Sequence, residues 1–416
     1  METIRNYLEN FTFQESNYDN TLFHDLFMEN DQKTKIEYYN YNKLIIPKFI
    51  NEYWTAKQRQ CNAIHEVSYR ACFKPQLPNF FIRLLTTEGD IIFDPFSGRG
   101  TTAIEAALIN RRFIANDINP LSVILTKPRI KPPTLTDIEK RMFNIDFSKK
   151  NESDMDLSMF YHPNTLNELL CLKNYLNNYE NDDIDDWIRM VATNRLTGHS
   201  KGFFSVYTLP PNQAVSPESQ KKINAKKNQL PDYRNVKELI IGKSKALLKE
   251  IDDKKRKQLF KIAENSSFYT LDAGNLPKIS DETINLTVTS PPFLNIIQYA
   301  NDNWLRCWFN GLDLEKISKN IVMAKTTAEW SEFIHRVFKE LYRITKKDGY
   351  VAFEVGEVNN GKVNLEEYVT DIGIKLGFEC IGIIINAQTF TKTSNIWGIN
   401  NNDRGTNTNR IVLFKK

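Results

Sequence analysis

The sequence predicts an α/β chain built on a doubly wound, Rossmann-like sheet, with an inserted and largely helical region. Three observations carry that expectation. A short apolar run, Ile91-Ile92-Phe93, leads into a glycine-bearing loop and then an apolar helical stretch. A second run, Phe113-Ile114-Ala115, follows the helix and stops at Asn116-Asp117. A third, Ile284 to Thr289, ends abruptly at two prolines. Strand, glycine loop, helix, strand and acid, in that order, is the plan by which doubly wound sheets hold a ribose.

Residues 1–60 are polar with interspersed aromatics and read as an N-terminal arm packing on the core. Residues 61–130 carry the glycine-loop half of the sheet domain. Ile91 to Phe93 has the continuous apolarity of a buried parallel strand. The loop Asp94-Pro95-Phe96-Ser97-Gly98-Arg99-Gly100 follows, and Thr101 or Thr102 is placed to cap the next helix. Glycines at 98 and 100 tolerate positive φ and let a ligand approach the backbone. The loop is not a phosphate-binding P-loop, because no Gly-Lys-Ser/Thr closes it.

Residues 131–264 read as an insert. Lys127 to Pro133 forms a stiff exit from the core, and an acidic patch, Glu180 to Asp183, follows helical material. Arg195 to Tyr207 alternates basic, aromatic and hydroxyl residues around glycines. The pairs Lys221-Lys222 and Lys226-Lys227 and the run Lys254 to Lys257 are either solvated helix faces or phosphate contacts that weaken as salt rises.

Residues 265–416 complete the sheet. Thr289-Ser290-Pro291-Pro292-Phe293 ends a strand in a rigid turn, since two prolines cannot extend a ladder. Acceptors beside an aromatic ring suit a flat heterocycle carrying an exocyclic amine. Trp330, Phe333, Ile334, Val337, Leu341 and Ile344 form a helical apolar stripe, followed by a strand at Tyr350–Val355. Leu365, Tyr368, Val369, Ile372 and Leu376 form another, ended by Gly377. Cys380–Ile385 and Arg410–Phe414 read as closing strands.

Composition agrees with an enzyme able to bury a full α/β core at 416 residues. The net charge of +4 does not by itself demand a nucleic-acid partner. Five cysteines without a Cys-x-x-Cys pair and five scattered histidines suggest neither disulfide nor metal site. The N-terminus does not read as a signal peptide and no stretch reads as a membrane span, so a cytoplasmic location is expected.

The glycine loop together with Ser290-Pro291-Pro292-Phe293 resembles the DNA amino-methyltransferases, which methylate N4 of cytosine or N6 of adenine from S-adenosylmethionine. Phe73 to Pro78, Leu271 to Pro277 and Arg343 to Gly349 resemble further segments of that family. The order of glycine motif, insert and Pro-Pro motif matches one arrangement of the family and assigns target recognition to the insert.

The resemblance implies that Ser290 and the carbonyl of Pro291 accept the amine hydrogens, and that Phe293 stacks on a flipped base. It gives Asp94, Phe96, Ser97, Gly98, Gly100, Thr101 and Thr102 to the cofactor, with Asp94 facing its methionine part. It assigns Asp117 to the ribose and Asp272 to the adenine or its neighbourhood, adds Ile118 to the cofactor site, and gives Lys74 a weaker contact. Arg195, His199, Lys201, Asn295 and Tyr299 are candidate DNA contacts.

Double-stranded DNA is the implied partner, and a cognate restriction endonuclease a second one. N4-cytosine is preferred because Ser at the first motif position resembles cytosine enzymes; N6-adenine is the alternative. RNA amino-methylation and an inactive DNA-binding methylase fold rank lower. Cytosine C5 methylation is rejected, since no Pro-Cys dipeptide supplies a thiol nucleophile.

Overall fold

A computed structural model describes residues 2–12, 33–54, 61–178, 181–209, 213–292, 302–321, 324–358, 363–387 and 408–416. Its centre is a nine-stranded sheet. The strands are β1 (Lys35–Tyr41), β2 (Leu44–Asn51), β3 (Ile91–Asp94), β4 (Arg112–Asn116), β5 (Ser267–Tyr269), β6 (Ile284–Thr289) and β7 (Thr345–Val355). β8 (Glu357–Val358) and β9 (Val363–Asn364) form a small separate ladder, and β10 (Glu379–Ala387) and β11 (Thr408–Lys415) return to the main sheet.

The spatial order is β1-β2-β10-β11-β7-β6-β3-β4-β5. β3, β4, β5, β6 and β7 run parallel, whereas β11 is antiparallel to both β7 and β10. From β3 the chain winds outward through β4 and β5, then returns to lay β6 on the other side of β3. That reversal opens a crevice at the carboxyl ends of β3 and β6, where doubly wound sheets bind ligands.

Alternation along the strands fills two cores. Ile92, Leu286, Val288, Ala352, Ile411 and Leu413 face one, and Phe93, Val351, Phe353, Val412 and Phe414 face the other, joined by Ile284 across a register shift between β6 and β7. Helix Thr327–Ile344 buries the whole predicted stripe on the second face. Helix Leu365–Lys375 packs beside it and stops at Gly377, whose φ of +101° suits glycine. Tyr368, assigned to that second stripe, is 43% exposed and points away from the core.

Two expectations are corrected. Residues 35–51 are not an arm laid on the core but a hairpin continuing the sheet, with β2 parallel to β10. Asn42 and Lys43, at φ +42° and +72°, make its two-residue turn, and positive φ at both positions matches the twist of the strands. Lys127–Pro133 is not a plain exit: helix Leu121–Ile130 runs through Pro128, and Arg129 is completely buried. The insert shares the core of the sheet: Trp187, Ile188, Ile240 and Leu247 belong to the cluster that holds Ile92 and Phe113. Among the described residues no helix is long and apolar enough to cross a membrane.

Candidate active site

β3 delivers Asp94 to the crevice, and the loop after it turns tightly. Gly98 and Gly100 adopt left-handed φ of +51° and +77°, and the Gly100 N–H bonds the Ser97 carbonyl at 2.6 Å. A Cβ on Gly100 would lie 2.2 Å from Thr126 Cγ2, so only glycine fits there. Gly100 itself precedes helix Thr101–Leu108, which has no side-chain cap. The expected threonine cap is therefore absent. Thr101 Oγ1 instead accepts from Arg99 Nε at 3.2 Å, and Thr102 Oγ1 donates to the Val288 carbonyl at 3.1 Å, tying the loop to β6.

Asp94 makes a second tie. Its Oδ1 accepts from the Phe96 N–H at 3.1 Å and from Thr289 Oγ1 at 2.6 Å. Burial pushes its carboxyl up to about 7, against those hydrogen bonds, which favour the charged form. The Asp94 side chain, 2% exposed, thus joins the two motifs.

Ser290 continues β6 beside β7. Thr289 pairs with Phe353, and the next residue on β7, Glu354, takes a hydrogen bond from the Ser290 hydroxyl. Asn409 Nδ2 donates to the same carboxylate. Burial raises Glu354 to about 7 despite both partners. Trp330 Nε1 donates to the Pro292 carbonyl at 3.1 Å and pins the turn from the helical side.

A cavity open to solvent lies over these strand ends. Phe96, Ser97, Gly98 and Thr101 line it from the glycine loop, and Asp117 and Ile118 from the end of β4. Asp272 lines it from the turn after β5, and Ser290 and Pro292 from the end of β6. Asp94, Gly100, Thr102, Lys74 and Pro291 are not among the lining residues. Lys74 is half-buried, and burial lowers its ammonium below the usual range. Phe293, Asn295 and Tyr299 lie outside the described residues.

Asp117 is set by backbone donors. Its Oδ2 accepts from the Gly98 N–H at 2.8 Å and its Oδ1 from the Asn119 N–H at 2.9 Å. Burial raises it to about 6. Each oxygen keeps a lone pair for a further donor. Asp272 bonds the Gly274 N–H at 2.9 Å and meets Arg336 at 3.2 Å.

Several lining residues were not picked out from the sequence. Tyr69, Arg70, Ala71 and Cys72 form a wall just before the predicted Phe73 segment. Phe333, read only as core, reaches the cavity with its ring 5.9 Å from that of Phe96. Asn119 donates weakly to Tyr69 Oη at 3.4 Å. Only Asn119, just beyond the strand-ending acid, carried a local signal.

The insert residues divide. The Arg195 guanidinium stacks on Phe203 at 3.9 Å and donates to Asn194 Oδ1 at 3.0 Å, so it is largely committed internally. His199 and Lys201 are exposed. In the 254–257 run, Lys255 donates to the Leu108 carbonyl and Arg256 to the Pro132 carbonyl, which anchors that helix to the core. Lys222 and Lys226 are exposed, and Lys227 lies over the Tyr207 ring at 4.1 Å.

The topology and the crevice define a doubly wound enzyme fold with its ligand cavity at the switch point. A family model for N6/N4 methyltransferases, described as DNA methylase, matches residues 9–126 and 284–416. Those segments are more than half of the chain, which belongs to the DNA methylase family.

The type II methyltransferase M.BsoBI of Geobacillus stearothermophilus is 27% identical over 282 residues, covering 61% of this chain and 54% of that protein. The type II methyltransferase M.MvaI of Kocuria varians is 23% identical over 256 residues, covering 54% and 52%. The chain spans about half the length of these curated relatives. Among solved structures, an rRNA methyltransferase of Streptomyces viridochromogenes has a TM-score of 0.35 at 9% identity, covering 87% of this chain and 93% of that one.

Proposed function

We propose that the chain methylates N4 of cytosine in double-stranded DNA, with S-adenosylmethionine as the donor, in the cytoplasm. One observation carries this reading: Ser97 and Gly98 of the glycine loop and Ser290 and Pro292 of the Pro-Pro turn line a single cavity. Family membership supports methylation of DNA, and the type II naming of the relatives supports a modification role beside a restriction endonuclease.

The residues present fit the donor. Ser97 Oγ is buried without a hydrogen-bond partner, next to a backbone that glycine keeps open, and the Asp117 carboxylate keeps acceptor capacity for hydroxyls. Ser97, Gly98 and Asp117 would hold the amino-acid and ribose parts, with Phe96, Ile118 and Asp272 around the adenine. When bound, the donor supplies an electrophilic methyl group.

The chain's own task is to prepare the amine. An exocyclic amino nitrogen conjugated into its ring is a poor nucleophile. Because the Ser290 hydroxyl donates to Glu354, its lone pairs are left to accept an amine N–H. With the Pro291 carbonyl taking the other hydrogen, the nitrogen is held pyramidal and its lone pair freed. Holding both partners in line is then most of the rate enhancement. The proton leaves after attack through Ser290 Oγ, and Glu354, raised to about 7, is a suitable sink for it. Phe293 stacks on the base, worth about 1–3 kcal/mol against the cost of extrusion.

Expression in a methylation-free host, followed by nucleoside mass spectrometry of its DNA, tests the reading. N4-methylcytosine is the expected product. N6-methyladenine would replace the cytosine assignment while keeping the site, and unmodified DNA with an intact donor complex would overturn the proposal.

A further inference from the structure

The loop that walls the cavity, Tyr69 to Phe73, is held in an unusual way. Ala71 has φ +53°, a left-handed conformation that costs an alanine about 1 kcal/mol or more. Around it, backbone carbonyls are clamped by guanidinium groups. Arg99 donates to the Val67 carbonyl at 3.0 Å and to that of Phe73 at 3.3 Å. Arg306, 5% exposed, donates to the Ser68 carbonyl at 2.9 Å, and Asn194 reaches the same oxygen at 3.2 Å. Arg70, itself a cavity-lining residue, forms an ion pair with Asp302.

Asp302 and Arg306 stand at the head of one short helix, Trp304–Asn310, which the chain enters soon after the Pro-Pro turn. The Asp302 carbonyl also accepts from the Ala214 N–H at 2.8 Å, and Trp304 Nε1 donates to the Val215 carbonyl at 3.1 Å. Asp302 is therefore a three-way junction. Its side chain holds the donor-cavity wall, its backbone holds the insert, and its chain neighbours lead back to the catalytic turn. Its carboxylate is 14% exposed and the Arg70 side chain 32%, so the pair is partly shielded from solvent and salt.

Building on the functional reading above, we propose that Arg70 and Asp302 are positioning residues that couple filling of the donor cavity to DNA affinity. A molecule packed against Tyr69, Arg70 and Cys72 favours the strained, clamped loop over looser ones. That arrangement is the one in which Arg70 reaches Asp302 and fixes the junction with the insert. Any ligand that discriminates between two arrangements shifts their balance, and the coupling is reciprocal.

The test uses the full chain, S-adenosylhomocysteine as unreactive cavity occupant, and duplex fragments from a methylation-free host. In the wild type the occupant should tighten DNA binding on the order of tenfold, within the usual range of coupled sites. Asp302→Asn should reduce that gain to under about twofold. Arg70→Gln should also lose the gain, and the exchanged pair Arg70→Asp with Asp302→Arg should restore at least half of it.

Thermal melts identify a variant that fails to fold, in which case the other single variant and the exchanged pair decide. A full gain retained in Asp302→Asn, or no gain in the wild type, overturns the proposal. The functional reading fails differently: the wild type would then transfer no methyl group to DNA at all.

Discussion

The two segments matched by the family model and the stretch between them are built to different rules. Residues 9–126 and 284–416 supply β3, β4, β6 and β7, the strands around the crevice. Residues 127–283 supply edge strand β5 and, among the described residues, six helices from Leu135–Asn144 to Asp253–Ala263. In the first region polar side chains tie the strand ends together: Asp94 to Thr289, Thr102 to the Val288 carbonyl, Glu354 to Ser290 and Asn409. In the second, many cations cap, stack or anchor, and a few are left exposed. The first region thus ties its strand ends to one another, while the insert shares their core and leaves a few cations on its surface.

The largest expected effect attacks the first region. Ser290→Ala with Phe293→Ala should cut methyl transfer by about a thousandfold or more, since it removes an aligned acceptor and a stacking surface together. Donor affinity, measured by calorimetry, should stay within a few-fold. Transfer at the parental rate would show that the Pro-Pro turn is not where the amine sits.

Gly100→Ala comes next. Its Cβ would meet Thr126 at 2.2 Å, and its φ of +77° disfavours any side chain. A loss of about 2–3 kcal/mol is expected, read as a lowered denaturation midpoint. Pairing it with Thr126→Ala should recover part of the loss, and no recovery would mean that the backbone angle alone matters.

Glu354 gives a pH test. Its folded carboxyl is raised to about 7, above the ordinary value of 4.5, so the folded chain binds the proton more tightly than the unfolded one. Between those values stability therefore falls as pH rises. Activity runs the opposite way, because Ser290 needs an ionised partner to stay an acceptor: kcat should fall as pH drops through about 7. Glu354→Gln should be roughly tenfold slower or more at pH 8, with a flat acid limb and a shallower pH dependence of stability. An unchanged acid limb would remove Glu354 from the proton path.

The smallest effects belong to the insert. Lys222→Ala with Lys226→Ala should weaken DNA binding in a sequence-independent way and lower the salt slope of log K by up to about one per lysine. Arg195→Ala should instead cost about 1 kcal/mol of stability through its lost stacking on Phe203. If Arg195→Ala changed only the salt slope, the division between committed and free cations would be wrong.

What the sequence made legible follows the reach of local signals. Ile91–Phe93, Ile284–Thr289 and the Trp330–Ile344 stripe were readable, because apolar periodicity and strand-ending prolines are local. The wall Tyr69–Cys72 was not, since its place depends on guanidinium groups contributed from Arg99 and Arg306. The β1–β2 hairpin was missed because Asn42-Lys43 lacks the glycine that normally marks a two-residue turn. Asp94 was recognised from its motif, but that its carboxylate turns toward Thr289 shows only in the register with β6.

The position of β11 bears on how the chain is made. This strand threads between β7 and β10, and β10 in turn receives β2, so residues 48–51 wait for partners more than three hundred positions downstream. On the ribosome the winding from β3 to β7 can assemble early, yet β7 stays an open edge until residues 408–415 emerge. Such distant pairing slows folding and leaves sticky strands exposed meanwhile. Slower synthesis at low temperature should accordingly raise the yield of correctly assembled protein.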